Sequence, residues 1–284
     1  MALTVNLVAL PIGNVADLSP RASEALTQAH RIFCEDTRKM RELLKRADIQ
    51  TNARLTALPG GSEHQFDWER ARKEANVDER WVLVSDAGTP LVNDPGAELV
   101  EYCRRAQVEL RATPGPCAPI AAWQWSGGFG LPFVFAGFAP KAKSPGTKDL
   151  DRFFEPLSNS GSFSYFDTKH QFATTLEHLV LRGLGDRPLF VAREMTKPHE
   201  QLHGGTVRSC LTELAERLQT EGQLGELTFL LRGEDKSSAS GSVVTLDQLV
   251  QIRKASVKDA AKIAAELTGL SSRDCYQLFI GEKS

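Results

Sequence analysis

Strand-like and helix-like segments alternate along the first half of this chain, and that alternation limits the fold more than any other feature. Apolar runs rich in branched residues fall at Leu3–Leu10, Arg31–Glu35, Trp81–Ser85 and Val108–Ala112. Between them lie helical patterns. Ser19-Pro20 supplies an N-cap and a first-turn proline for a helix with Ala22, Ala25, Leu26 and Ala29 on its apolar face. Asp36 or Thr37 caps a second helix running to about Arg46, and Pro95 to Ala106 reads as a third. Strands joined through helices run largely parallel and need helices on the faces of their sheet, so the expected class is α/β.

The second half repeats the alternation more loosely, with strands near 133–138, 162–167, 187–193 and 226–232 and helices near 169–182 and 206–221. Ser126-Gly-Gly-Phe-Gly-Leu-Pro132 is the best boundary between halves, and the Ser- and Gly-rich stretch Glu234–Ser242 reads as a linker. Ser256-Val-Lys-Asp259 is a capping box opening a helix with Ala260, Ile263, Ala264 and Leu267 on its apolar face; Gly269 closes it, and Ser271–Asp274 repeats the signal. The expected layout is an N-terminal α/β domain over 1–120, a second α/β domain over 121–235 and a helical appendix over 245–284. That appendix is either a small cap or an RNA-reading helix-turn-helix.

At 284 residues, two units sharing an interface are the default expectation. Lys and Arg total 34 against 36 Asp and Glu, so no global positive field draws in nucleic acid and any such contact needs local basic patches. The 5 cysteines are odd in number and show no C-x-x-C spacing, which argues against a disulfide framework or a cysteine zinc site and fits a reducing cytoplasm. The apolar start is broken by Pro11 and Gly13, and no later run reaches the ~18 apolar residues of a membrane helix, so no membrane association is expected.

Two familiar signatures do not survive their context. Gly128-Phe-Gly130 begins like a dinucleotide fingerprint, but the third glycine would fall at Phe133 and no strand precedes it. His199-Glu-Gln-Leu-His203 matches H-E-x-x-H, yet Pro198 precedes it and Gly204-Gly205 follows, leaving no room for the long helix that puts two imidazoles on one zinc ion. No metal is expected.

The informative segments follow the expected strands, at the edge where open α/β sheets bind ligands. They are Pro11-Ile-Gly-Asn14, Glu35-Asp-Thr-Arg38, Ser85-Asp-Ala-Gly-Thr-Pro90 with Asp94-Pro-Gly96, and Thr113-Pro-Gly-Pro-Cys117. Each alone is an ordinary turn, since Gly, Pro, Asp and Asn are what turns require. Four on one sheet edge converge on one cleft.

These strings, with Val191-Ala-Arg-Glu-Met-Thr-Lys197, His199-Glu200 and the late Lys258-Asp-Ala-Ala-Lys262, resemble in collinear order, from Val5 to about Leu278, the ribosomal RNA small-subunit methyltransferase I family of the tetrapyrrole methylase superfamily. The resemblance implies two α/β domains of the tetrapyrrole methylase type with S-adenosylmethionine between them, a homodimer, and methylation of a cytidine 2′-oxygen in small-subunit ribosomal RNA, free or assembled. It implies that Pro11, Ser85, Asp86, Ala87, Gly88, Thr89, Pro90, Cys117, Ala118, Phe166, Ala192 and Leu227 line the cofactor site. Glu35, Asp36 and Arg38 then face the nucleotide, with Asn14, Arg41, Lys45, His64, Lys197 and Glu200 on the substrate side. The chain departs from the family pattern at Cys117, at Phe166-Asp-Thr-Lys-His170 and at Ser62-Glu-His-Gln65, the last of which bears on substrate identity.

A ribose hydroxyl is a poor nucleophile while protonated, so a positioned base helps; Asp36 or Glu35 is the candidate, with Arg38 on a phosphate. Capping of the following helix explains Asp36 equally well. Arg38, Lys39, Arg41, Lys45 and Arg46 on one helix, and Lys141, Lys143 and Lys148 beyond the boundary, are the local basic patches available to RNA. A small-molecule methylase acting on a tetrapyrrole-like acid and a non-catalytic binding paralogue stay open as alternatives.

Overall fold

The structure is a computed structural model that describes residues 3–58, 60, 63–76, 78–221, 225, 227–233, 256–268, 271–273 and 275–276. Residues up to Gly233 form one compact unit containing two five-stranded sheets.

The first sheet is built from β1 (Thr4–Val8), β2 (Arg31–Cys34), β3 (Arg54–Ala57), β4 (Arg80–Leu83) and β5 (Glu109–Thr113). Its order is β3-β2-β4-β1-β5, with every pair parallel. The helices α1 (Pro20–Thr27), α2 (Thr37–Arg46), α3 (Trp68–Lys73), α4 (Ala97–Arg105) and α5 (Ala118–Trp125) alternate with these strands, as the apolar periodicity requires. Side chains of a strand point alternately to its two faces. Ile32 and Val82 accordingly pack with Ala22, Leu26, Met40 and Leu44 of α1 and α2. Phe33, Trp81 and Leu83 pack with Leu99, Tyr102 and Cys103 of α4. Ser19 caps α1, its hydroxyl accepting from the Ala22 N–H at 3.1 Å. Asp36, rather than Thr37, caps α2. The edge strand β3 and the short α3 were not legible in the sequence.

The second sheet comprises β6 (Phe133–Phe138), β7 (Ser162–Asp167), β8 (Pro188–Arg193), β9 (Gln201–Thr206) and β10 (Leu227–Arg232), ordered β6-β7-β10-β8-β9. Helices α6 (Lys148–Phe154), α7 (Phe172–Leu181) and α8 (Val207–Glu221) accompany it. Here the expected repeat of a parallel alternation is corrected: β6 and β7 pair in parallel, but β10 runs antiparallel to both β7 and β8, and β9 antiparallel to β8. The cause lies between β8 and β9, where Glu194–Glu200 makes a tight turn instead of a crossover helix. Phe163, Tyr165, Leu189, Val191 and Phe229 form its core with Phe172, Leu176 and Leu214.

The H-E-x-x-H string spans that turn and β9. His199 is exposed, whereas His203 is buried on β9 with its Nδ1 2.9 Å from Glu213 Oε1. The two imidazoles therefore share no helical face.

The second unit is described by its own helix α9 (Val257–Thr268), where the Ser256 hydroxyl accepts from the Asp259 N–H at 3.3 Å and Ala260 and Ala261 are buried. The expected linker Glu234–Ser242, the closing Gly269 and Asp274 lie outside the described residues, as does Ser62. No helix among the described residues is long and apolar enough to cross a membrane.

Candidate cofactor and substrate site

A parallel sheet presents the carboxyl ends of all its strands along one edge. Here that edge carries the loops after β1, β2, β4 and β5. In the second sheet β6, β7 and β8 point the same way while β9 and β10 oppose them, so Phe138, Asp167–His170 and Met195 share an edge with the start of β10. A cavity of about 540 Å³ lies between the two edges.

One wall is the loop after β4. The Gly88 N–H donates to Leu10 O at 3.1 Å and the Leu10 N–H donates back to Gly88 O at 2.8 Å, which straps this loop to the loop after β1. Gly88 has φ +77°, a conformation that branched side chains rarely adopt, and a Cβ there would stand 3.2 Å from Ile12 Cγ2. The Thr89 hydroxyl donates to Pro116 O at 2.9 Å and fixes the loop after β5 alongside.

Of the residues assigned to the cofactor, Ala87, Gly88, Thr89, Cys117 and Ala118 line the cavity from the first sheet, and Phe166, Ala192 and Leu227 from the second. Pro11 and Pro90 are buried behind the wall rather than in it. Ser85 is also buried, its hydroxyl donating to Ala87 O at 3.0 Å, and shapes the loop from within.

Asp86 turns away from the cavity. Its carboxylate accepts from the Asp36 N–H at 3.1 Å and from Lys39 Nζ at 2.6 Å, while Glu35 Oε1 accepts from the Asp86 N–H at 3.1 Å. Glu35 and Asp86 thus tie the β2 and β4 loops together reciprocally. Asp36 Oδ1 accepts from the Arg38 N–H at 2.8 Å, and its Oδ2 meets the Arg38 guanidinium at 2.8 Å. Those two Arg38 contacts hold the Asp36 carboxyl well below the usual range. Asp36 is the N-cap that the sequence allowed, and its carboxylate is already engaged.

Arg41 and Lys45 are exposed on α2, and His64 is exposed on the turn Glu63–Gln65. Asn14 meets the opposite half directly, its N–H donating to the Thr196 hydroxyl at 3.0 Å. Lys197 pairs with Glu194 at 3.3 Å, and the Glu200 carboxylate accepts from the Thr196 N–H, so both assigned residues shape the β8–β9 turn.

Several cavity residues escaped the sequence reading. Asp94 belonged to a recognised loop, Asp94-Pro-Gly96, but only its turn chemistry was legible. Burial, with Glu35 nearby, pushes its carboxyl up to about 6. Asp167 closes β7; it is buried, accepts from the Thr168 N–H at 2.7 Å, and burial pushes it too up to about 6. Phe138, Met195, Lys169 and His170 complete the far wall. The Cys117 thiol is raised by burial as well.

Two α/β sheets enclosing a cleft at their strand ends define the class. Residues 4–210 match the family model of Tetrapyrrole (Corrin/Porphyrin) Methylases. Uroporphyrin-III C-methyltransferase from Thermus thermophilus has the same fold, with TM-score 0.55 and 18% identity over 81% of this chain and 94% of that one. Diphthine synthase is similar, with TM-score 0.57 and 16% identity over 81% and 90%. Within that class the chain belongs to the ribosomal RNA small subunit methyltransferase I family. It is 34% identical to the protein of that name from Escherichia coli O157:H7, over 95% of this chain and 92% of the relative. The Xylella fastidiosa protein is likewise 34% identical, over 96% and 97%, and the Mycobacterium tuberculosis H37Rv protein 34% over 95% and 92%.

Proposed function

We propose that this protein transfers the methyl group of S-adenosylmethionine to the 2′-oxygen of a cytidine in small-subunit ribosomal RNA. The observation that carries the reading is the cavity itself, formed by the loops that the sequence singled out, in a chain whose relatives along nearly its whole length are named for methylating that RNA. The residues present suit the cofactor. Ile12, Val92, Phe166 and Leu227 offer apolar walls to a flat ring system, and the cavity's size falls in the ~300–1,000 Å³ typical of small-molecule sites. The glycine at 88 leaves open the space a Cβ would fill. A Thermus thermophilus uroporphyrin-III C-methyltransferase of the same fold is known in complex with S-adenosylhomocysteine, with TM-score 0.54 and 19% identity over 80% of this chain and 96% of that one.

When bound, S-adenosylmethionine supplies a methyl carbon already activated by the positive sulfur beside it. The chain's own contribution is placement: orienting the ribose oxygen in line with that carbon is worth up to ~7–11 kcal/mol. The exposed cations Arg41 and Lys45 on α2 form a phosphate track that leads to the loops around the cavity. A cytidine in folded RNA must be extruded to present its ribose, which favours an assembled or partly assembled small subunit as substrate. The same reading carries a homodimer and a cytoplasmic location, the latter in keeping with five free thiols.

The test is incubation with labelled S-adenosylmethionine and small subunits from cells lacking the endogenous enzyme, followed by mass spectrometry of the RNA. Label on one cytidine ribose is the expected result. Label on a base, or on a tetrapyrrole but never on RNA, overturns the reading.

A further inference from the structure

The two halves touch at the mouth of the cavity through Gly137 and Asn93. Gly137, one residue before the end of β6, has φ +75°, and a Cβ on it would stand 2.8 Å from Asn93 Oδ1. The positive φ favours glycine there, and the neighbour across the contact is the Asn93 side-chain oxygen. The next residue on each side, Phe138 and Asp94, lines the cavity.

Phe138 is 53% exposed, among the largest exposures of any large apolar side chain among the described residues. One part of its ring rests on Phe166, with centroids 5.2 Å apart, and Phe166 rests in turn on Phe135 at 5.0 Å. An aromatic ring braced from behind and left open to solvent beside basic surface is how proteins offer a stacking platform to an unpaired base. Lys141 and Lys143, a few residues on, are exposed and supply that surface.

Asp94 lines the cavity and is half-buried. It interacts with Ser85 inside the β4 loop and with the carboxylates of Glu35 and Asp86, which belong to the latch that leads to α2. The lysine nearest that latch, Lys39, is already paired with Asp86. Asp36, by contrast, is occupied by its cap and by Arg38.

We propose that the lip formed by Asn93–Asp94 and Gly137–Phe138 receives one extruded nucleotide, its base stacked on Phe138 and its 2′-hydroxyl against the Asp94 carboxylate. This rests on the reading that the cavity holds S-adenosylmethionine. In the transfer, the hydroxyl proton passes to the Asp94 carboxylate and the oxygen forms a bond to the methyl carbon. The carbon–sulfur bond breaks with its electron pair on sulfur, and Asp94 later returns the proton to water. A half-buried carboxyl raised to about 6 is ionised at neutral pH and a better proton acceptor than an ordinary aspartate. The groups around it are Glu35 and Asp86 on its own half, Cys117 at the start of α5, and Asp167, Lys169 and His170 across the cavity.

The experiment uses the full chain, S-adenosylhomocysteine by calorimetry, and unmethylated small subunits in single-turnover reactions. Asp94→Asn should keep its affinity for S-adenosylhomocysteine, which also reports folding, and should lose ~10²–10⁴-fold in rate. Phe138→Ala should raise the half-saturating subunit concentration by about 5- to 150-fold, the range of one lost base stack, and Phe138→Trp should restore it. An Asp94→Asn rate equal to wild type overturns the proposal. So does a Phe138→Ala protein that loses S-adenosylhomocysteine but keeps the subunit, because the ring would then belong to the cofactor's wall. A wild-type protein that takes up no S-adenosylhomocysteine overturns the underlying reading, and this inference with it.

Discussion

Replacing Gly88 by valine is the sharpest test of the cavity wall. An L-residue held at φ +77° costs about 1–2 kcal/mol, and a β-branched one sits at the upper end. The new Cβ would meet Ile12 Cγ2 at 3.2 Å, and its two methyl groups need further room; overpacking of this kind costs about 1–3 kcal/mol. The backbone cannot rotate away cheaply, because both its N–H and its C=O are bonded to Leu10, each bond contributing about 0.5–1.5 kcal/mol. A loss of roughly 2–5 kcal/mol follows, shared between folding and ligand binding. If most of it falls on the wall, S-adenosylhomocysteine should bind about 100-fold more weakly, since each 1.4 kcal/mol is a factor of ten. Calorimetry and thermal melts with and without ligand separate the two shares. Gly127→Val is the matched control: it has the same φ of +77° with nothing within 4 Å of the added carbon, so it carries the backbone strain without touching the cavity. Equal ligand affinity in Gly88→Val and Gly127→Val would refute the reasoning.

Asp36→Asn should leave the single-turnover rate nearly unchanged, since asparagine caps a helix about as well as aspartate; a fall of ~10²-fold or more would return the base role to Asp36. Replacing Arg41 and Lys45 by alanine should weaken subunit binding and lower the slope of log affinity against log salt by about one unit per lost phosphate contact. Asp167→Asn should stabilise the protein at pH 8. The folded-state carboxyl titrates near 6 against an ordinary 3.8, so the folded protein holds more protons between those values and stability falls as pH rises through that window. The gain should reach at most about 3 kcal/mol above pH 6 and vanish below pH 4, as read from denaturant melts. The opposite trend would mean that this carboxylate is held by a cation.

The parallel sheet was legible because its central strands are buried on both faces. Ile32 and Phe33 point to opposite cores, leaving an uninterrupted apolar run in the sequence. β3 was not legible, since Arg54 and Ala57 are exposed and only Leu55 and Thr56 between them carry an apolar or branched signal. β9 hid for a related reason: Gly204 and Gly205 have low strand propensity, and the H-E-x-x-H string suggested a helix that had to be argued away. In the site, the loops were legible as turns, so Gly88 and Thr89 emerged at once. Asp94 and Phe138 did not, because nothing in local sequence says that the β4 loop and the end of β6 meet across 40-odd intervening residues. The choice of base met the same limit. An aspartate ahead of a helix reads alike whether it caps or catalyses, and the structure adds that Asp36 caps α2 and meets the Arg38 guanidinium.

At two of the places where the halves meet, a glycine stands at the point of closest approach. Gly13 lies against the β8–β9 turn so closely that a Cβ would stand 2.6 Å from Thr196 Oγ1 and from Lys197 Cγ, while Gly137 lies against Asn93. The helix α5 ties the halves together as well, its Trp123 Nε1 donating to the Ser162 hydroxyl at 3.1 Å and its Ala122 packing with Ala192 and Met195. A side chain at Gly13 would also meet the Met195 carbonyl oxygen at 2.9 Å, backbone that cannot rotate aside, and so would wedge the halves apart on that side of the cleft.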